Sequence, residues 1–461
     1  MTDGLYTFGS GECAQLGLGH DRNELLPVHV AHLPHTRLVS ISLGDGYGAA
    51  VTDDGRLFTW GDGDAGQLGH GGHESVSTPK EVTALAGVTV VAVSMGCEHT
   101  LILDADGDVW SCGTGDYGIL GHGSENDEFV PRKIAALTGT TVVDVSAGTG
   151  HSGAVTADGQ LFLWGFGGFG QLGLGTTETI LEPTPVPLDG KIAVDVSCGM
   201  RCTAVVCSDG SLYTCGDNEC GKLGLGDLEP RLVLTRVDRL ASVSVTQVSI
   251  SEGSGAAVTN DGALYSWGHG RMGNLGHGTE TNPEPLVPRV RVAGYNYERD
   301  WAVPKRVAAL ANVHVVHVAM GPEHSACLTA DGQVYTWGEA ANGETGHGDT
   351  FDRMEPERLD FFDSLGSAII VEVGSDHTGV VIDSTAASAP APVAAPSATS
   401  SSPTTPAAPA ASPAASDPAL AARVTELESA LAASVARSDD LAERLAIVEV
   451  LLLDALKTQS S

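Results

Sequence analysis

The chain has little positive charge: 24 Lys and Arg stand against 58 Asp and Glu in 461 residues, a formal net charge of -34 with histidine neutral. A surface so poor in cations cannot neutralise a run of phosphates or an anionic bilayer, so nucleic acid is excluded as a main ligand. Long apolar runs are missing as well. None approaches the ~20 residues that span a bilayer, and Met1-Thr2-Asp3-Gly4 opens no charged-then-apolar leader. We therefore expect a soluble, cytoplasmic protein without membrane insertion, and no basic cluster offers a clear nuclear address. Aromatics are scarce at 5%, whereas glycine occurs 59 times, a balance that suits short strands joined by tight turns. The nine cysteines are odd in number and scattered, which fits reduced thiols better than a disulfide framework.

What the chain has is a repeat. The phrase reads GLYTFG (4–9), DGRLFTWG (54–61), DGDVWSCG (106–113), DGQLFLWG (158–165), DGSLYTCG (209–216), DGALYSWG (261–268) and DGQVYTWG (331–338). Its turn glycines, Gly4, Gly55, Gly107, Gly159, Gly210, Gly262 and Gly332, are spaced by 51, 52, 52, 51, 52 and 70 residues. So regular a period signals a repeat architecture. Within Val142–Gly175, alternation at Val143, Val145, Ala154, Leu161 and Leu163 marks successive half-buried strands. Asp158-Gly159 predicts a two-residue type I′ hairpin, with positive φ at both central positions.

Sheets that small cannot stand alone, so the units must pack side by side. The first unit begins directly at its turn, while Val371–Asp383 (VEVGSDHTGVVID) supplies the missing half without a following DG strand. We expect an all-β, seven-bladed propeller over 1–383, its last blade closed by residues near 367–383 and 1–30, which leaves no open sheet edge. The repeats run 3–53, 54–105, 106–157, 158–208, 209–260, 261–330 and 331–383.

DG-x-L-(Y/F)-x-W-G, then G-x-L-G-(H/L)-G, then V-x-V-(S/A)-x-G-x-x-H-(S/T), resembles the regulator of chromosome condensation family over 1–383. The resemblance implies a seven-bladed propeller. It leaves function open, because members include exchange factors for the Ran GTPase, ubiquitin-ligase modules, ciliary scaffolds and a plant ultraviolet-B photoreceptor. In the family's Ran exchange factor, an inserted β-wedge displaces nucleotide. The photoreceptor needs tryptophan in its GWRHT repeats, and the matching stretches here are GCEHT (96–100), GTGHS (148–152) and GPEHS (321–325), which argues against light sensing.

Several tempting motifs have repeat position as their explanation. G-x-G-x-x-G occurs at Gly61/Gly63/Gly66, Gly113/Gly115/Gly118, Gly165/Gly167/Gly170 and Gly268/Gly270/Gly273, but no helix follows to hold a pyrophosphate. His99, His151, His324 and His377 share one slot, which is Tyr47, Cys202 and Ser254 elsewhere. His70, His122, His277 and His347 share another, which is Leu18, Leu174 and Leu225 elsewhere. Such replacements and the lack of close ligand pairs favour hydrogen-bonded structural histidines over metal. Cys198, Cys202, Cys207, Cys215 and Cys220 lie at strand or repeat positions, with Cys215 and Cys112 where other units carry tryptophan, so they read as small buried hydrophobes rather than zinc ligands. No nucleophile, base and orienter come together, and no cofactor is indicated; we expect no enzyme.

The sixth interval is longer by roughly 18 residues, placing an insertion near 286–303. It holds Tyr295, Tyr297 and Trp301, the last read as the only tryptophan outside the strands, with Arg289, Arg291 and Arg299. These are the residue types of binding hot spots, carried on a connection the ring does not need. From Arg231 to Arg306 nine basic residues meet seven acidic, so this stretch is expected to form a slightly positive face that steers a protein partner. Residues 384–416 are almost wholly Ala, Pro, Ser and Thr and read as a disordered linker. Asp417-Pro418 then opens a helix over 417–457, with Leu420, Val424, Leu427, Leu431, Leu441, Leu445, Val448 and Leu452 in a coiled-coil rhythm that suits homo-oligomerisation. The expected function is a non-enzymatic interaction scaffold; the alternative is a guanine-nucleotide exchange factor for a Ran-like small GTPase.

Overall fold

Period-two alternation broken every few residues by glycine gives strands of five to seven residues, and they assemble into seven four-stranded antiparallel sheets. In the computed structural model the described residues are 4–34, 36–279, 282 and 300–384. The linker and the seam from Leu420 to Leu452 therefore lie outside the described residues. The blade built from the central repeat has the strands Val142–Ala147, His151–Thr156, Leu161–Gly165 and Ile180–Val186, in that order from the channel outward. Counting from Leu38, blades 1 to 6 follow this plan, and blade 5 spans Val245 to Arg306.

The seventh blade is made from both ends of the chain. Its order is Glu24–His29, Gly4–Gly9, His377–Asp383, Ser367–Val373, and Gly4 to Gly9 pair with Ile382 to His377 without a break. The sequence repeat thus starts at the third strand of a blade, and each repeat gives two strands to one blade and two to the next. The cut through a blade is what lets the ring close on itself.

The core is divided between blades. One cluster joins Leu101, Leu103 and Val109 of blade 2 to Val142, Val145 and Trp164 of blade 3, and each of the other six likewise draws on more than one blade. A single blade would expose both apolar faces, so stability belongs to the ring. Around the channel, serines stitch neighbouring innermost strands: Ser42 Oγ accepts the Met95 N–H at 3.0 Å, Ser94 that of Ala147 at 2.9 Å, and Ser146 that of Cys198 at 2.9 Å.

The DG turn differs from the expected type I′. Among described non-glycine residues, positive φ occurs only at Ala14, Tyr117, Asp189 and Cys220, so Asp158 is right-handed while Gly159 has φ 81°. Gly159 N–H donates to Thr156 O at 2.8 Å and Thr156 N–H to Gln160 O at 3.0 Å. This is a type I turn over Ala157-Asp158 closed by a glycine bulge, and the Thr156 hydroxyl holds the Asp158 carboxylate inside it. A Cβ at Gly159 would also lie 2.1 Å from Ile192 Cγ2 of the next blade. Gly159→Ala is expected to cost more than the ~1–2 kcal/mol of a left-handed alanine. Gly139→Ala, at φ 85° with nothing within 4 Å of the added carbon, is expected to cost only the backbone term. Thermal melts of the two variants side by side check the difference.

Candidate functional site

The insertion leaves blade 5 between its third strand, Leu264–Gly268, and its outer strand, Trp301–Arg306, which pair at Gly268 and Trp301. Arg289, Arg291, Tyr295, Tyr297 and Arg299 lie outside the described residues. Trp301 is not outside the strands as expected: it opens the outer strand. WAVPKR follows the same outer-strand pattern as EFVPRK (128–133), so the insertion ends before Trp301 rather than at Val303. The indole is half-buried, 5.5 Å edge-on from the His277 ring, with the Lys305 ammonium 3.9 Å over its face.

A residue that sequence reasoning missed anchors the end of the insertion. Asp300 is 3% exposed, and its Oδ1 accepts the Gly270 N–H at 3.2 Å while its carbonyl accepts from Asn282 at 2.9 Å. Asn23, Ser75, Asp127 and Asp352 accept an equivalent amide, from Gly11, Gly63, Gly115 and Ala340, just before other outer strands. The signal was a small polar residue at one fixed slot, whose chemical variety hid it.

Within this stretch, Arg231 and Arg236 do not share one end of the blade. Arg231 and Arg236 sit at opposite ends of the strand Arg231–Arg236, paired with Gly216 and Tyr213, and each is held by a carboxylate, Asp227 and Asp238. A strand carries its first and last residues to opposite ends of the blade, so net charge along the chain does not by itself become charge on a face. Among the described residues, acidic groups gather at the ends of the blades that carry the long loops. Burial raises the Cys13 thiol there, and Asp62, Asp45, Glu12 and Asp376 raise it further. Burial, then Glu339 and Glu252, push Glu323 up to about 7 against the opposing charge of Arg271.

The histidine ring is structural. His99, His151, His324 and His377 are 0–1% exposed at the start of the second strand of their blades. His99 Nε2 lies 2.8 Å from Ser152 Oγ of the next blade, whose proton is given to Ile119 O at 2.8 Å. A hydroxyl has one proton, so the imidazole must be the donor and is neutral with hydrogen on Nε2. His151 with Thr203 and Gln171 O, and His324 with Thr378 and Glu344 O, repeat the relay. His377 breaks it, because the next blade has Gly48 where Ser152, Thr203 and Thr378 serve the other three, and neither ring nitrogen finds a partner among the described residues. At the second slot His70, His122, His277 and His347 bond the hydroxyls of Thr59, Ser111, Ser266 and Thr336 at 3.0–3.2 Å.

The thiols take the part of tryptophan. Trp164 Nε1 donates to Ile119 O of the preceding blade at 2.8 Å, while Cys112 and Cys215 Sγ reach the matching carbonyls of Gln67 and Gln171 at 3.6 and 3.5 Å. Burial pushes Cys112 up to about 12 and Cys202 up to about 11, far from reactive thiolates. Among the described residues only Asp104, Asp106 and Asp108 group their carboxylates closely enough for an ion. Asp104 is occupied by the amides of Asp106 and Asp108 and by Trp110 Nε1 at 2.8 Å, and Asp108 holds Lys133. The last glycine of each G-x-G-x-x-G packs on the next blade: a Cβ at Gly118 would lie 2.7 Å from Leu181 Cα. No helix among the described residues is long and apolar enough to cross a membrane.

A family model described as the RCC1-like domain matches residues 4–380. The chain belongs to that family. This RCC1-like chain is 34% identical over 361 residues to the ultraviolet-B receptor UVR8 of Arabidopsis thaliana, covering 78% of each protein. It is 36% identical over 351 residues to the E3 ubiquitin-protein ligase HERC2 of Homo sapiens, covering 75% of this chain but 7% of that one. Among solved structures, Prp20p of Saccharomyces cerevisiae, described with its binding to Gsp1p and histones, matches at TM-score 0.73 and 22% identity over 84% of this chain and 93% of that one. At that identity the likeness is one of fold.

Proposed function

We propose that this RCC1-like chain is a non-enzymatic interaction scaffold of the cytoplasm, whose partner contacts the insertion of blade 5. One observation carries the reading: a single connection in the ring is lengthened, and the blade anchors its far end through Asp300 as tightly as the short connections of other blades. The buried histidines and most of the thiols are spent on packing, which leaves recognition rather than side-chain chemistry. The coiled-coil seam at 417–457 adds oligomerisation, and with it avidity for a multivalent target.

Guanine-nucleotide exchange is the second reading. Exchange needs only a surface that prefers the empty GTPase, so absence of a catalytic constellation does not count against it. Affinity capture from lysate with the full chain, with and without chelation of magnesium, separates the two. A nucleotide-independent partner set, depleted by Tyr295→Ala with Tyr297→Ala, is the expected result. A small GTPase captured only after chelation would establish exchange instead, and capture indifferent to the substitutions would remove the insertion as the site.

A further inference from the structure

Every innermost strand carries a bulge at one position, next to the end of the channel where the DG turns lie. In blades 1 to 4 pairing with the second strand jumps from Leu38 to Ser40, Val90 to Ala92, Val142 to Asp144 and Ala193 to Asp195. The skipped residue is turned out of the ladder. It is a valine each time: Val39, Val91, Val143 and Val194 are 44, 40, 52 and 47% exposed. Innermost strands of neighbouring blades run side by side, so these four side chains form an arc around the channel mouth, widened at blade 4 by Ile192. Single exposed valines are ordinary, but one apolar type at one slot on four consecutive blades is a contiguous patch. The geometry of a bulge does not require it, since the bulged residue of blade 5 is Thr246.

Charge decides what covers the arc. The residue after Val143 is Asp144 and the residue after Val194 is Asp195, each about 3.8 Å along the chain from its valine and deeper in the channel. Each carboxylate accepts one amide of the next strand through Oδ2, from Val196 at 3.0 Å and Val248 at 2.8 Å, and stays partly open to the channel. Enclosure raises the Asp144 carboxyl, and the Asp195 charge raises it further, a repulsion that a cation would relieve. None of the seven innermost strands carries Lys or Arg. Burial raises the Asp195 carboxyl as well, and His317, bonded to Glu372 at 3.1 Å, attracts Asp195 and offsets part of that rise, while no cation among the described residues acts on Asp144.

The geometry points to a docking site for a cationic segment of a protein partner, a lysine or arginine whose alkyl stem lies on the valine arc and whose head reaches Asp144 and Asp195. Long cationic side chains cover apolar surface with their stems while the charge extends beyond. The site is at the opposite end of the blades from the strand ends, Gly268 and Trp301, between which the insertion runs. It is therefore independent of the proposed scaffold contact.

The test uses the full chain and a fluorescein-labelled peptide, Gly-Leu-Arg-Leu-Gly, against the same peptide with neutral citrulline for arginine, read by fluorescence anisotropy. The arginine peptide is expected to bind at least about tenfold more tightly. Asp144→Asn with Asp195→Asn keeps an oxygen for the neighbouring amides and is expected to reduce the arginine peptide to the citrulline level. Val143→Ser with Val194→Ser, on exposed positions, is expected to weaken both peptides, with melting temperatures confirming intact rings. No binding of the arginine peptide, or binding unchanged in the aspartate or valine variants, overturns the site. So does an equal loss in Glu12→Gln with Asp376→Asn at the other end, which would mark general attraction to an acidic body.

Discussion

A chain ended at Gly366 is expected to lose the cooperative melt of the propeller and to go largely insoluble, whereas one ended at Ser384 keeps it. The shorter chain lacks the strands Ser367–Val373 and His377–Asp383, the second of which pairs with Gly4–Gly9 and the first with the second. Val371, Val380, Val381 and Ile382 go with them, all 0–2% exposed and packed in two separate inter-blade clusters with Leu5, Tyr6 and Phe8. At ~1.5–3 kcal/mol for each buried aliphatic side chain, those four alone represent roughly 6–12 kcal/mol. Whole-protein stabilities are ~5–15 kcal/mol, so the ring has no reserve to open a blade. The facing surfaces of blades 6 and 1 and a bare strand edge would then be exposed to other chains. Far-UV circular dichroism melts of the two proteins decide the matter, and equal melting temperatures would show that the two chain ends do not hold the ring closed.

Acid is expected to unfold the ring through its buried histidines. Burial lowers His99 and His324 to about 4 and His151 and His377 to about 3, with a neighbouring histidine adding to the effect at His151 and His377. Their folded pKa values lie below the unfolded value near 6.5, so between about pH 6.5 and 4 the unfolded chain binds more protons. The stabilising contribution is complete above that window and is lost as pH falls through it. At ~1.4 kcal/mol per pKa unit, each of these buried groups carries on the order of 3–5 kcal/mol. Carboxyls that burial raises, Glu323 and Asp144 among them, act in the opposite direction, taking up protons in the fold first and gaining stability as pH falls. A substitution is therefore needed to isolate the histidines. His324→Ser puts at this slot the residue that blade 5 has at Ser254, and its urea-unfolding free energy is expected to fall less between pH 7 and 4.5 than that of the unsubstituted chain. Parallel profiles would mean that His324 titrates normally.

Strand alternation, the spacing of the turn glycines and the complementary chain ends were local and periodic, so the number of blades and the way the ring closes were legible in the amino acids alone. So were the burial of Cys198, Cys202, Cys207 and Cys215 and the structural part of the histidines, because each slot shows its own substitutions elsewhere in the chain. Cys220 differs, half-buried in a turn at φ 57° rather than buried in a strand. The repeat could not reveal what meets across blades. Trp301 looked like loop because the insertion hid its register, and only pairing with Gly268 showed it to open a strand. Asp158 looked like a type I′ residue, yet Thr156 recruits it into a type I turn closed by a glycine bulge. Arg231 and Arg236 looked like parts of one face until strand direction sent them to opposite ends of their blade. The relay from His99 through Ser152 to Ile119, and the valine arc above Asp144 and Asp195, join residues one or more periods apart. Sequence determines what each slot contains, since secondary structure is set by near neighbours. Which slots touch depends on ring closure, which brings together equivalent positions some 50 residues distant and was decided only by the tertiary structure.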